Sequence, residues 1–431
     1  MKEAPDIINN LIESLNHKKQ RTRLAYLSQL AQKIKKGEIR ETVPGEFVNN
    51  HIHTTYSFSP FSPTAAIWQA CQAGLATAGI IDHDTVSGTS EFIKAGKITG
   101  IATTIGFELR VDFGATSLAG RRINNPDQCT IAYCAVHGLP HGKIRAANGF
   151  LAPLRRERNK RNLLMVEKLS SIIKPLEMSL DYKVDVLPLS MAHEGGSVTE
   201  RHILFALAKK LVTKYGKGGS LCNAVMQKLG IEINARQQQN LSDIQNPYYE
   251  YDLLGVLKSG LVERFYINAV TECPPVTEFV RFISSTGSIP AYAYLGDVRE
   301  SVTGDKKSLS FEDGYLQELF EVINGLGFKA VTYMPSRNST DQLLSVKKFC
   351  EKYALLEISG EDINSPRQSF ICEHLRENAF RNLIDTTWAI IGHEREATKN
   401  PRMGFFSPET ERRFPGLAER IEYFKHIGMK R

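Results

Sequence analysis

The chain has 431 residues, 42% hydrophobic and 23% charged, a composition that supports a sizeable core and excludes a disordered or fibrous chain. Its formal net charge of +7 is a mild basic excess, compatible with a phosphorylated partner but too small to require nucleic acid. The cysteines, at 71, 129, 134, 222, 273, 350 and 372, form no C-x-x-C pair. That is the pattern of reduced thiols, so a cytoplasmic location is expected. No apolar run reaches the roughly 18 residues of a membrane span, and residues 1–10 lack an apolar leader core, so neither membrane insertion nor secretion is expected.

The elements read as follows. Residues 1–46 form an N-terminal helical arm: Ile7, Ile8, Leu11, Ile12 and Leu15 recur at helical spacing, as do Leu24, Leu27, Leu30, Ala31 and Ile34. Lys18, Lys19, Arg21 and Arg23 between them give the arm a basic character. After the Val43-Pro44-Gly45 break, strand signals at 47–54, 78–82 and 101–108 alternate with helical ones at 64–76 and 90–99. This β-α-β-α-β order predicts a parallel sheet or barrel. Residues 141–275 read as a helical insertion or cap, entered by the arginine-rich run 155–161. Alternation returns over 276–372, with helices at 276–286, 311–326 and 340–353 and strands at 289–294, 330–333 and 355–358. The barrel is therefore expected over 47–140 and 276–372, followed by a helical extension over 373–431.

Three short motifs carry metal-capable side chains. His51 and His53 stand at i and i+2 of a strand, which points two imidazoles to one side, as a transition-metal ion requires. Asp82-His83-Asp84 ends the second strand, and α/β barrels place their sites at strand C-termini. Asp84 reads equally well as a cap of the following helix. Glu108 closes the third strand, where a carboxylate bridging two ions would offset their repulsion.

Together, H-x-H, D-H-D and G-x-E resemble the polymerase and histidinol phosphatase (PHP) domain family, in its metal-dependent phosphoesterase type with a helical insertion. The resemblance implies a distorted seven-stranded β/α barrel holding one to three divalent ions, Zn, Mn or Fe. It implies a metal-dependent hydrolase whose activated water attacks a small phosphorylated metabolite or nucleotide. The implied ligands are His51, His53, His83 and Glu108, then His137 in Ala135-Val136-His137-Gly138, then Asp362 and Asn364 at the late D-x-H position. Three positions depart from the family pattern: Phe58 stands for an Asp, Tyr294 for a His and Asn364 for a His.

The family's phosphate-contacting segment corresponds to Thr199-Glu200-Arg201-His202, with Glu200 where an Arg is expected. Arg201 and His202 are thus candidates for substrate binding and charge stabilisation, against the alternative of a helix start capped by Thr199. Arg337, after a predicted strand, is a third candidate or else a solvated loop residue. The run 155–161 is read as a solvated helix face rather than a nucleic-acid contact, because no aromatic platform accompanies it. Two other functions stay open: a decayed barrel acting as a binding or regulatory protein, and a metallohydrolase acting on a non-phosphate bond.

Overall fold

The computed structural model describes residues 3–297 and 310–430. Strands β1 (Val48–Ile52), β2 (Thr77–His83), β3 (Ala102–Asp112), β4 (Ile131–His137), β5 (Ile289–Ala293), β6 (Ala330–Tyr333) and β7 (Leu356–Ser359) form one sheet in chain order. All neighbours are parallel except β4, which runs antiparallel to both β3 and β5. Beyond β7, Ile363 bridges Ile52 in parallel: His53 N donates to Ile363 O and Ile363 N donates to His51 O, both at 3.0 Å. This pairing nearly closes the sheet into the expected seven-stranded α/β barrel.

Helices α3 (Pro63–Gln72), α4 (Thr89–Thr99), α10 (Val276–Thr286), α11 (Leu316–Leu326) and α12 (Thr340–Tyr353) connect the strands, each presenting one apolar face to the barrel. The expected strand over 101–108 continues to Asp112, so Glu108 lies inside β3 rather than at its end. A second reading also changes. The arm α1 (Glu3–Glu13) and α2 (Gln20–Lys35) buries Leu11, Leu15, Leu27 and Leu30 in the outer core, and its Arg23 is only 2% exposed. Arg23 forks onto Glu91 of α4, whose Oε1 also accepts from Thr64 N at 3.2 Å and Thr64 Oγ1 at 2.6 Å.

Between β4 and β5, α5 (Ile144–Ile172), α6 (Glu200–Tyr215), α7 (Gly219–Leu229), α8 (Ala235–Ser242) and α9 (Tyr249–Phe265) enclose a separate hydrophobic core that includes Leu169, Leu207, Val225 and Leu257. The run 155–161 is not a solvated face. Arg155, Arg158 and Arg161 are 8%, 3% and 6% exposed and turn toward the barrel. The spacing of three and six residues sets them on one side of the helix; buried carboxylates pair with Arg158 and Arg161, and Arg155 donates to Asp84 O and Asn148 Oδ1, both at 2.8 Å.

The C-terminal helices α13 (Asn382–Lys399), α14 (Pro408–Arg413) and α15 (Leu417–Met429) complete the barrel. Ala389 and Ile390 of α13, with Phe405 and Phe424, pack on Ala135, Ala291, Ala330 and Ile358 of the strands. Glu394 Oε2 accepts from Thr104 Oγ1 at 2.8 Å and Ile105 N at 2.9 Å, which fixes α13 at the end where β3 begins. His393 is fully enclosed there: Nε2 meets Gly138 O at 3.0 Å and Nδ1 accepts from Phe405 N at 2.9 Å. This pattern requires the neutral ring, and burial pushes the His393 pKa down to about 4, partly opposed by Gly138 O. The unfolded chain therefore takes up a proton that the folded chain refuses as pH falls below about 6.5. Stability of about 3 kcal/mol is expected to be present above pH 6.5 and lost by about pH 4. Urea midpoints at pH 7 and 4.5 should show that loss in the native chain and a smaller one in His393→Gln.

Candidate metal centre

The ends of β1 and β2 bring His51, His53 and His83 to one point. His83 is in register with Glu108, and β1 hands His51 and His53 to the same carboxylate. His83 Nδ1 lies 3.0 Å and His53 Nε2 3.3 Å from Glu108 Oε1, and His51 Nε2 lies 3.5 Å from Glu108 Oε2. The closing pairing of Ile363 with β1 brings in Asp362, whose Oδ1 is 3.2 Å from His53 Nε2. Two glycines make this convergence possible. A Cβ at Gly106 would lie 1.9 Å from Val136 O, and one at Gly360 would lie 2.6 Å from His51 Cβ, so only glycine lets β4 and the end of β7 approach.

His137 arrives from the opposite direction. Ala135 pairs with Glu108 across the antiparallel ladder, so His137, two residues on, faces the same side one step deeper in the barrel. Burial, together with neighbouring His51, pushes its pKa down to about 3 and keeps it neutral. Among the described residues, His51 Nε2, His53 Nε2, His83 Nδ1 and His137 Nε2 are buried and accept or donate no hydrogen bond. The contacts to Glu108 and Asp362 are close but lack hydrogen-bond geometry. Orphaned buried nitrogens are costly unless something else satisfies them, and four of them beside two carboxylates fit a divalent cation. His51, His53 and Glu108 can offer their ligand atoms within 4.8 Å of one another.

In the absence of metal, burial opposes charge on His53, but the Asp362 and Glu108 carboxylates prevail and raise its pKa to about 10. The Glu108 carboxyl is held well below the usual range: burial works against its charge, but His83 and His51 outweigh it. Asp362 is likewise lowered, chiefly by His53 against the cost of burial.

Asp82 and Asp84 are not among these converging groups. Asp82 Oδ1 accepts from Thr54 N at 2.7 Å and Ser57 Oγ at 2.6 Å, and its Oδ2 accepts from Thr54 Oγ1 at 2.7 Å. Ser57 Oγ spends its proton on Asp82, so at 3.1 Å it is left to accept from His53 Nδ1, which turns Nε2 toward Glu108 and Asp362. Asp82 and Ser57 thus orient His53 from behind, a role the sequence reading missed. The only signal was the hydroxyl-rich stretch that follows His53. Ser57→Ala is expected to weaken metal binding by about 10- to 100-fold with the fold intact, as a chelator competition titration would show. Asp84 does not cap α4, whose first turn follows Gly88. It sits at φ 53° with its carboxylate on Arg158.

The departures from the family pattern all have protein partners. Phe58, at φ 108°, stacks edge-on to His202 with ring centroids 5.0 Å apart and joins the cap's hydrophobic core. Tyr294 donates to Asp313 Oδ1 at 2.5 Å. Asn364 Nδ2 donates to Asp362 Oδ1 at 2.6 Å.

Glu108, His51, His83 and Asp362 line a cleft of about 200 Å³ between barrel and cap, with Arg110, Tyr133, Glu200 and Arg201 on its walls. The three basic candidates separate. Arg201 faces the cleft. His202 closes a capping box instead, its Nδ1 accepting from Thr199 N at 3.0 Å, and burial pushes its pKa down to about 3. Arg337 turns its Nε to Leu295 O at 3.3 Å and is not part of the cleft wall.

No family model matches the chain. It is 38% identical over 85 residues, 19% of its length, to the error-prone DNA polymerase of Nocardia farcinica, and the match spans only 7% of that polymerase. Two solved structures resemble it across most of its length. One is a candidate metal-dependent phosphoesterase of Bifidobacterium adolescentis, with TM-score 0.51, 19% identity, and coverage of 78% of this chain and 96% of that one. In fold, the seven-stranded barrel is PHP-like. The second is an amidohydrolase of Chromobacterium violaceum, solved with bound sulfate and no metal, at TM-score 0.51 and 15% identity over 75% of this chain and 90% of that one. At these identities the likeness is one of fold. No helix among the described residues is long and apolar enough to cross a membrane.

Proposed function

We propose that the chain is a metal-dependent hydrolase that cleaves phosphoesters of small molecules. The observation that carries this is the set of three buried imidazole nitrogens within 3.5 Å of Glu108 or Asp362, none of them in a hydrogen bond, beside a cleft of about 200 Å³; a fourth, His137 Nε2, is also buried without a hydrogen bond. His51, His53, His83, Glu108 and Asp362 would hold one or two divalent ions, Zn, Mn or Fe, with His137 beneath them. Phe58 has no donor atom and Tyr294 spends its hydroxyl on Asp313, which argues against a third, while Asn364 donates to Asp362 and would orient that carboxylate. Bound there, a divalent ion supplies Lewis acidity toward a phosphoryl oxygen and activates water.

The chain's own residues do the rest. Ser57 and Asp82 orient His53. Arg201, which makes no hydrogen bond or ion pair among the described residues, offers a guanidinium to charge developing on the phosphoryl group. Arg155, Arg158 and Arg161 of α5 are buried and so withheld from a nucleic-acid backbone, which supports a small substrate.

A panel of phosphomonoesters and short oligonucleotides, assayed with Mn²⁺ or Zn²⁺, tests the reading. His53→Ala should lose metal and turnover together, whereas Arg201→Ala should lose turnover and keep its metal. The amidohydrolase likeness motivates one other arm: turnover of amides or carboxylic esters but of no phosphoester would replace phosphoester cleavage with that chemistry.

A further inference from the structure

Glu200 opens α6 at the cleft wall. Arg110 Nη2 and Arg161 Nη2 each reach its Oε1 at 2.9 Å, and Arg158 Nη2 reaches its Oε2 at 3.0 Å. The three guanidinium groups come from two layers: Arg110 from β3 of the barrel, Arg158 and Arg161 from α5 of the cap. All three are buried, and Arg110, Arg158 and Glu200 share the cleft with His51, His83 and Glu108. Arg158 Nε is buried there with no hydrogen-bond partner among the described residues.

The guanidinium groups do not depend on Glu200 for their positions. Asp84 takes Arg158 Nη1; Glu272 Oε1 takes Arg161 Nη2 at 2.7 Å and Arg110 Nη1 at 3.5 Å; Arg110 Nε donates to Tyr133 OH at 3.1 Å. Neither Asp84 nor Glu272 lines the cleft. Three cations are thus braced from behind by two carboxylates, and the cleft-facing member that completes the charge balance is Glu200. Guanidinium forks at these spacings suit the oxygens of a tetrahedral dianion at least as well as those of one carboxylate.

We propose that Glu200 is a built-in anion that fills a guanidinium-lined oxyanion subsite of the cleft and so closes it to substrates carrying a second anionic group. The claim about substrates rests on the cleft being the hydrolytic site. The subsite itself does not, and it is tested without turnover. Inorganic sulfate is the probe, titrated against Glu200→Ala, Glu200→Gln, the native chain and Glu272→Gln in one metal-loading state, with chloride at matched ionic strength as the reference.

Unfolding temperature should rise saturably with sulfate in Glu200→Ala, with an apparent affinity about tenfold or more above any response of the native chain. Glu200→Gln, which keeps the side-chain volume and loses the charge, should respond more weakly but in the same direction. The native chain and Glu272→Gln should show only the small unsaturable gain that sulfate gives any folded protein. A Glu200→Ala protein that folds only with sulfate present would support the subsite equally. Absence of saturable stabilisation in both Glu200 variants, failure of both to fold even in sulfate, or an equal response in Glu272→Gln would overturn it. Sulfate binding without phosphoester turnover would leave the subsite standing and remove the hydrolytic reading alone.

Discussion

Glu108→Gln is expected to strip the centre of metal and to lower metal-dependent turnover by more than about 100-fold. The substitution keeps the volume and removes one charge from a carboxylate that touches three imidazoles at 3.0, 3.3 and 3.5 Å. Glu108 is 6% exposed, so a cation brought beside it gives up most of its hydration and relies on that charge. Changing residues that merely orient ligands already costs about 10- to 100-fold in affinity, and a shared ligand should cost more. Gly106 and the β3–β4 register are untouched, so the barrel should stay folded. Metal per chain and kcat/KM, measured on the same preparation, check this; a Glu108→Gln protein that keeps both would show that the carboxylate is not a ligand.

The second large effect concerns protons. Without metal, His53 carries a proton up to about pH 10, because Asp362 and Glu108 overcome the opposing effect of burial. A metal ion needs the bare Nε2 and must displace that proton. Below pH 10 each fall of one pH unit therefore makes the displacement about tenfold harder, so affinity should drop by about 100-fold from pH 8 to pH 6 on account of His53 alone. Competition with a chromophoric chelator across that range measures the slope, and proton release on metal addition in weak buffer measures the same event directly. Affinity independent of pH between 6 and 8 would mean that His53 does not enter the coordination shell.

The parts of this architecture that were legible in the sequence are those governed by local rules. The i, i+2 spacing of His51 and His53 put both rings on one face, and α10, β6 and α12 begin and end where their periodicity does. The G-F-E motif was legible as chemistry, although its carboxylate lies four residues short of the end of β3. What the sequence hid was set by pairing between distant segments. Arg158 and Arg161 look like a solvated run until Glu200 and Glu272, 42 and 111 residues away, meet them. The Arg23–Glu91 pair that buries the N-terminal arm spans 68 residues. Asp84 resembled a helix cap because capping is the local use of an aspartate, and Arg158 outcompetes it. Phe58 looked like a lost ligand, whereas its place in the cap's core depends on α6 and α9 arriving above it. The antiparallel turn of β4, which brings His137 under Glu108 from the far side, has no signature in residues 131–137 themselves.

The most direct test of the central claim is the metal content of the purified protein by plasma mass spectrometry, beside a His51→Ala/His53→Ala variant. One or two tightly held transition-metal ions per chain, lost in the variant, are the expected result. A native chain that holds no metal, even after reconstitution with Mn²⁺, Fe²⁺ or Zn²⁺, would contradict it and leave the barrel a binding protein whose converging imidazoles serve another purpose.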